Sequence, residues 1–495
     1  MMYQSTRDPA HKKYSAAEVI KMGLAPDGGL FIPETIPALT ADEISALCAD
    51  SYPVRAAKIL GKFLTDYTYE ELLSDCTAAY AESSFPGGAA PLVSVKENVY
   101  SLELWHGPTA AFKDMALQIM PRLLSRALVK TGETHDALIL VATSGDTGKA
   151  ALEGYKDIDR IKIMVFYPVD GVSRVQKLQM ATQTGDNVNV CAIRGNFDDA
   201  QTGVKKIFGD ESMAAELEVR GYILSSANSI NWGRLAPQIV YYVSAYCDLL
   251  SRGVLKMGET MDVCVPTGNF GNIFAGYIAK LMGLPIRHFV CASNRNNILT
   301  DFLATGTYDR NRAFHLTMSP SMDILISSNL ERLLCLSAGE ERTAAYMESL
   351  KNDGVYTVDA DVLAEIKTNF SGFCADETAT AATIRDYFEN HGYLADTHTA
   401  VALSCADQYL DTLNKTDIRP VVVDSTASPY KFAADVYTSL KGVAPTDPLG
   451  ALDDLVAATN TEIPYPLRGL GERTVRFTEI INADEMPAAV LAYCK

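Results

Sequence analysis

Apolar positions along this chain change their period about ninety residues from its start. Up to that point they recur at helical spacing between polar loops. One stretch breaks the rule: 23–33, GLAPDGGLFIP, reads as a turn followed by a short strand. A Gly/Pro-rich stretch at 85–91, FPGGAAP, reads as a linker. Beyond it, strand, loop and helix alternate. VYSLEL at 99–104 alternates as a half-buried strand does, and LILVAT at 138–143 is continuously apolar, as in a buried parallel strand. IKIMVFY at 161–167, MDVCV at 261–265, IRHFV at 286–290 and RPVVVD at 419–424 add further strands. The periodic stretch 115–130 predicts a helix, but Pro121 should kink it or mark a later start. The alternation predicts α/β domains with parallel sheets, whose ligands gather where strands end.

Length and charge narrow the picture. A chain of 495 residues exceeds a single core, so two or three domains are expected. The formal net charge of −18 disfavours a nucleic-acid partner, so an anionic small substrate would need a locally basic pocket. No apolar run approaches membrane-spanning length, and the first residues lack the apolar core of a signal peptide; a cytoplasmic protein away from membranes is expected. Ten cysteines without a Cys-x-x-Cys pair, including Cys264 and Cys291 inside strand-like runs, read as buried thiols. Seven histidines show no metal-ligand spacing, and no metal is expected.

The candidate chemistry lies in loops at strand ends. HGPTAAFKD at 106–114 places Lys113 in an apolar, turn-rich junction between a strand and a helix. A lysine desolvated there loses its proton more readily, as Schiff-base chemistry with pyridoxal phosphate requires; taken alone, a solvated surface lysine fits as well. PTGNFGN at 266–272 joins a strand to a helix. Its glycines let backbone N–H groups approach an anion such as a cofactor phosphate, and an ordinary turn is the alternative. TSGDTGKA at 143–150 fails as a nucleotide loop, because Thr143 replaces the first glycine and Ala150 the magnesium-binding hydroxyl; an anion nest for a carboxylate fits better. DSTASP at 424–429 would project Ser425 and Thr426 from a strand end toward a ring nitrogen, with Ser428 before Pro429 as a helix N-cap. SANSINWGR at 226–234 ends in Arg234, which can fork onto a phosphate or form a surface ion pair. His106 and His398 invite roles as acids, but satisfied structural histidines are the expectation for both.

Together these segments, with YQSTR at 3–7, SPSMDI at 319–324, DTHTA at 396–400 and STASPYKF at 425–432, resemble the threonine synthase family of fold-type II pyridoxal phosphate enzymes. The length and long N-terminal segment are similar to its bacterial and fungal branch. The resemblance implies an α/β fold like that of tryptophan synthase β. Two parallel-sheet domains would hold the site between them, beside a mainly helical N-terminal domain. The expected segments are an N-terminal domain at 1–92, α/β domains at 93–250 and 251–440, and a C-terminal segment at 441–495. It implies that Lys113 forms the Schiff base, that Gly268, Asn269, Phe270, Gly271 and Asn272 hold the cofactor phosphate, and that Thr426 bonds the ring nitrogen. Ser144, Gly145, Asp146 and Thr147 would bind the substrate carboxylate; Asn228, Ser229 and Arg234 would bind its phosphate.

The implied activity is that of a carbon–oxygen lyase acting on a phosphate. It would convert O-phospho-L-homoserine and water to L-threonine and phosphate, in a monomer or homodimer. The same loops also suit a threonine synthase-like phospholyase that releases a 2-oxo acid, ammonia and phosphate. A catalytically silent binding protein and a nucleotide-binding module are opposed by the intact lysine loop and by the failed positions at 143–150. Two departures stand out: Ser428 and Pro429 follow the late Thr-Ala pair where relatives often carry histidine, and Asp146 stands where many fold-type II enzymes carry asparagine. A carboxylate beside the cofactor's phenolate would be repulsive, so no direct bond from Asp146 to that oxygen is expected.

Overall fold

The computed structural model describes residues 1–143, 145–170 and 172–495. Two open sheets organise the chain. The larger runs Phe370–Cys374, Ile286–Ser293, Met261–Pro266, Val421–Ser425, Val99–Glu103, Leu92–Lys96, and is parallel except for its last pair. The smaller runs Ile480–Asn482, Val188–Arg194, Ile161–Pro168, Asp136–Ala142, Tyr222–Ser225, and is parallel throughout. Every strand expected from an apolar run forms. In the two open sheets, apolar patterning missed the edge strands Leu92–Lys96, Tyr222–Ser225, Phe370–Cys374 and Ile480–Asn482 and one interior strand, Val188–Arg194. An edge strand is covered on fewer sides, so it has no continuous apolar run to display.

Sheet membership cuts across the expected segments. The 93–250 stretch is divided, because Val99–Glu103, which leads to Lys113, pairs with Val421–Ser425 in the larger sheet. The 441–495 stretch returns to the smaller sheet, where Ile480–Asn482 lies on Val188–Arg194 and Met486, Val490 and Cys494 pack against Leu138, Met164 and Phe166. The 85–91 stretch is no open linker: Phe85, Ala89 and Ala90 are buried, and Phe85 lies against Tyr80. Pro121 marks a later helix start, with Asp114–Leu117 ending before Met120–Lys130 begins; near a helix N-terminus its missing N–H costs nothing.

The N-terminal helices Ala16–Met22, Ala41–Leu47 and Tyr69–Ala79 begin on capping boxes at Ser15, Thr40 and Thr68. This layer docks on Trp232–Ser251, an almost wholly buried helix. Trp232 sits between Tyr3 and Phe63, with ring centroids 5.6 and 5.7 Å away. Arg7 grips Glu331 through two bonds of 2.7 Å, which ties the N-terminal strand to the helix Leu330–Ala338. Cys264 and Cys291 are buried in their strands, as their apolar neighbours predict. No helix among the described residues is long and apolar enough to cross a membrane.

Candidate active site

Neighbouring parallel strands bring two distant loops together. Val99–Glu103 and Val421–Ser425 run side by side, and the loops that leave them are stitched by backbone bonds. Phe112 N–H donates to the Thr426 carbonyl at 2.8 Å, Ser428 N–H donates to the Ala110 carbonyl at 3.1 Å, and Ala111 bridges to Ala427. Asp114 closes the lysine loop, accepting from Thr109 N–H at 2.8 Å and from the Thr109 hydroxyl at 2.7 Å. Burial pushes the Asp114 carboxyl up to about 6 against those two bonds.

Lys113 Nζ points at a compact polar cluster, 3.5 Å from Ser321 Oγ and 3.9 Å from Asp146 Oδ2. Burial draws its ammonium down to about 8; Asp146 opposes the shift, and the charges of Lys431 and Arg234 add to it. Asp146 opens the helix Asp146–Tyr155. It accepts from Gln176 Nε2 at 2.7 Å and Ser321 Oγ at 3.2 Å, and lies 3.1 Å from Lys431 Nζ. Burial would raise the Asp146 carboxyl, but Lys431, Lys113 and the Gln176 bond hold it well below the usual carboxylate range. Its oxygens are therefore engaged by the protein.

Thr143 closes the rest of that loop on itself. Thr143 Oγ1 accepts from Gly145 N–H at 3.0 Å and Gly148 N–H at 2.9 Å, and Gly145 adopts φ 144°, which only glycine takes easily. Thr147 is half-buried beside Asp146, and Ser144 lies outside the described residues. Lys149 turns along its helix to Glu153 at 2.9 Å, so it cannot serve as a nucleotide-loop lysine.

The loop at 266–272 fits a phosphate. Phe270 is left-handed (φ 61°), and the helix Gly271–Leu281 starts with no side chain capping its N-terminal amides. The Asn272 side-chain amide faces the buried Asp424 carboxyl, while the Asn272 carbonyl oxygens take bonds from Tyr242 and Tyr241. Gly268 packs directly on Ser321, where a Cβ would stand 2.8 Å from the Ser321 carbonyl oxygen. Asn269 is exposed, and its carbonyl accepts from Asn329 at 3.0 Å. An uncapped helix start is what a bound anion would satisfy, so these residues suit the phosphate of pyridoxal phosphate. Gly268→Ala is expected to cost about 1–3 kcal/mol of unfolding free energy. An unchanged denaturation midpoint would show that the Ser321 backbone gives way.

The Ser425 and Thr426 hydroxyls are told apart by their partners. Ser425 Oγ accepts from Trp105 Nε1 at 3.0 Å and contacts Thr399 Oγ1 at 3.0 Å, so it is already used. The Thr426 hydroxyl has no protein partner among the described residues. Ser428 accepts from Tyr430 N–H at 3.3 Å as the expected N-cap.

Both candidate histidines are satisfied. His106 meets Glu103 at 2.8 Å and stacks on Trp105. His398 Nδ1 meets Asp396 at 2.8 Å, and its Nε2 accepts from Ser321 N–H at 3.0 Å. Their acidic partners stand three and two positions earlier in sequence, a signal that was available. Ser321 is the residue that sequence reasoning missed. Its carbonyl backs Gly268, its hydroxyl faces Lys113 and Asp146, and its N–H is held by His398. Nothing in local spacing announces this, although SPSMDI is among the segments that carry the resemblance.

Arg234 is no surface arginine. It is 4% exposed in the first turn of Trp232–Ser251, and one guanidinium N–H donates to the Ala227 carbonyl at 2.5 Å. Its Nε is buried without a partner, and it makes no ion pair with an acidic residue among the described residues. Burial draws it down to about 10, with Tyr155 opposing. Asn228 is exposed and Ser229 half-buried at the mouth of the same loop, bonded to each other at 3.3 Å. The helix links both anion loops, since Gln238 bonds the Arg234 carbonyl at 2.8 Å and Tyr241 and Tyr242 bond Asn272.

Comparison with known proteins agrees with this geometry. Residues 2–80 match the family model for the threonine synthase N terminus, and residues 86–423 match that for pyridoxal-phosphate dependent enzymes. The chain is 41% identical over 437 residues to threonine synthase-like 1 of Homo sapiens, covering 86% of this chain; it spans only 58% of that relative's length. It is 38% identical to threonine synthase of Pseudomonas aeruginosa, over 92% of this chain and 93% of that one. Among solved structures, the PLP-bound threonine synthase from Brucella melitensis superposes with a TM-score of 0.88 at 37% identity, covering 100% of both chains. The yeast threonine synthase structure gives 0.88 at 32% identity, over 99% of this chain and 98% of that one.

Proposed function

Because the chain belongs to the threonine synthase family of pyridoxal-phosphate-dependent enzymes, we propose that it converts O-phospho-L-homoserine and water to L-threonine and phosphate. The observation that carries this reading is the pairing of a buried, deprotonation-prone Lys113 with two separate anion-ready loops, one at Gly271 and one at Arg234. A cofactor phosphate needs one loop, and a substrate that carries its own phosphate needs the other.

Lys113, the loop Gly268–Asn272 and Thr426 would hold pyridoxal phosphate. When bound, it supplies an aldehyde that captures the substrate amine and a ring that accepts the electrons released at the α-carbon. The backbone amides of Asp146 and Thr147 at the N-terminus of Asp146–Tyr155, with the Thr147 hydroxyl, would hold the substrate carboxylate. Arg234, Asn228 and Ser229 hold the substrate phosphate. With both ends pinned, Lys113 Nζ is in reach of the α- and β-carbons in turn, taking the α-proton and passing it on before it takes the β-proton, a gain from proximity. Phosphate departs from the γ-carbon into the Arg234 site, a proton returned to the γ-carbon makes the methyl group, water adds its hydroxyl at the β-carbon and releases its own proton, and Lys113 returns a proton to the α-carbon. Buried N–H donors hold the departing charge without needing to reorganise.

Product identification tests the reading. With pyridoxal phosphate and O-phospho-L-homoserine, threonine and one equivalent of phosphate are expected. A 2-oxo acid with ammonia would instead assign a phospholyase on the same lysine, and absence of turnover would reject the substrate.

A further inference from the structure

We propose that Lys431 is a positioning residue for the reactive amine: it neutralises Asp146, which leaves Lys113 free to shed its proton. The proposal rests on Lys113 being that amine.

Two ammonium groups, Lys431 and Lys113, flank the buried Asp146 carboxylate, and the buried Asp114, Arg234 and His398 side chains also face this cluster. Lys431 lies in the short turn Pro429–Phe432, just after the Thr426 loop, and its side chain is 0% exposed. Its Nζ donates to the Thr109 carbonyl at 2.8 Å and lies 3.1 Å from Asp146 Oδ1. Lys113 is the more distant partner, 3.9 Å from Asp146 Oδ2. The two lysines therefore compete unequally for one negative charge. Lys431 has the closer carboxylate oxygen and a carbonyl that accepts a second of its N–H bonds. Among the described residues, Lys113 has the Ser321 hydroxyl, 3.5 Å away, as its second polar neighbour. Without Lys431, Asp146 would have Lys113 as its nearest cation and would hold that proton in place. An amine that stays protonated cannot capture an aldehyde or act as a base. Placing Lys431 in the segment that carries Thr426 couples the two: the loop that supplies the ring-facing hydroxyl also sets the charge on the amine.

The test uses the cofactor-free protein and reads Lys113 directly. Trace labelling with acetic anhydride across a pH series, resolved by peptide mass spectrometry, gives the pH at which this one amine becomes reactive. Wild type is expected to turn over near pH 8. Lys431→Met should move that midpoint up by a unit or more, slowing labelling of Lys113 at neutral pH by roughly tenfold or more. Lys431→Arg should restore the wild-type midpoint. Asp146→Asn should move it down, because it removes the charge that opposes deprotonation. It also provides a second reading if Lys431→Met fails to fold. A Lys431→Met protein that is folded yet labels Lys113 on the wild-type curve would overturn the proposal, as would an upward shift in Asp146→Asn. A purely structural Lys431 would lower the melting temperature and leave the midpoint where it was. Failure of the proposed reaction would show in the products and leave these labelling curves untouched, so the two readings fail separately.

Discussion

Lys113→Ala is expected to reduce turnover by at least on the order of a thousandfold, since both a nucleophile and a general base are lost. It should also abolish the visible absorbance band of the lysine-bound cofactor. A retained band would place the covalent link on another residue. The pH dependence follows from burial. Lys113 titrates at about 8 rather than 10.5, so it is mostly an ammonium below that value and mostly a free amine above it. Capture of added pyridoxal phosphate by the cofactor-free protein should therefore quicken as pH rises through about 8 and then level off. The same shift gives a stability signature. Between about 8 and 10.5 the unfolded chain holds the Lys113 proton and the folded chain does not, so this residue makes stability rise with pH across that window. Below the window it disfavours the fold, because a charge is buried with only partial compensation. The alanine variant should thus be inactive yet no less stable at neutral pH, and its stability should lack that rise. A variant destabilised at neutral pH would contradict the placement of a desolvated amine.

The second large effect is on substrate affinity. Arg234→Ala should reduce kcat/KM for the phosphorylated substrate by about 2–5 kcal/mol, roughly thirtyfold to several thousandfold, mainly through KM. Arg234 is buried with a single carbonyl partner, an unpartnered Nε and no acidic ion-pair partner among the described residues. Such a charge costs the free protein stability and gains it when an anion arrives. Inorganic phosphate should therefore raise the melting temperature of the wild-type protein and not of the variant. An unchanged KM, or a phosphate response that survives the substitution, would remove Arg234 from the substrate site.

Much of the site was legible because loops at parallel strand ends carry their own grammar. The 266–272 glycines, the Lys113 junction and the 143–150 loop each sit where a continuous apolar run stops. Arg234 was legible as a cation but not as a buried one, since burial comes from Trp232–Ser251 packing beneath the N-terminal layer. His398 had its partner Asp396 two residues away, whereas its other contact, Ser321, lies far along the chain. Lys431 lies within the STASPYKF stretch, yet local sequence assigns it no charge to balance.

By itself, the sequence determined the class of fold, most of the interior strands, and the loops at their ends whose residues suit a Schiff-base lysine and a phosphate. Apolar period and turn composition are local properties, written within a few residues of each element they specify. Tertiary structure alone decided which sheet each strand joined, since pairing depends on edges that form only after collapse. It also decided that one carboxylate, Asp146, would be shared by lysines from opposite ends of the chain. Electrostatic and hydrogen-bond partnerships of that kind depend on distance in space and on exclusion of water, and neither is encoded in spacing along the chain.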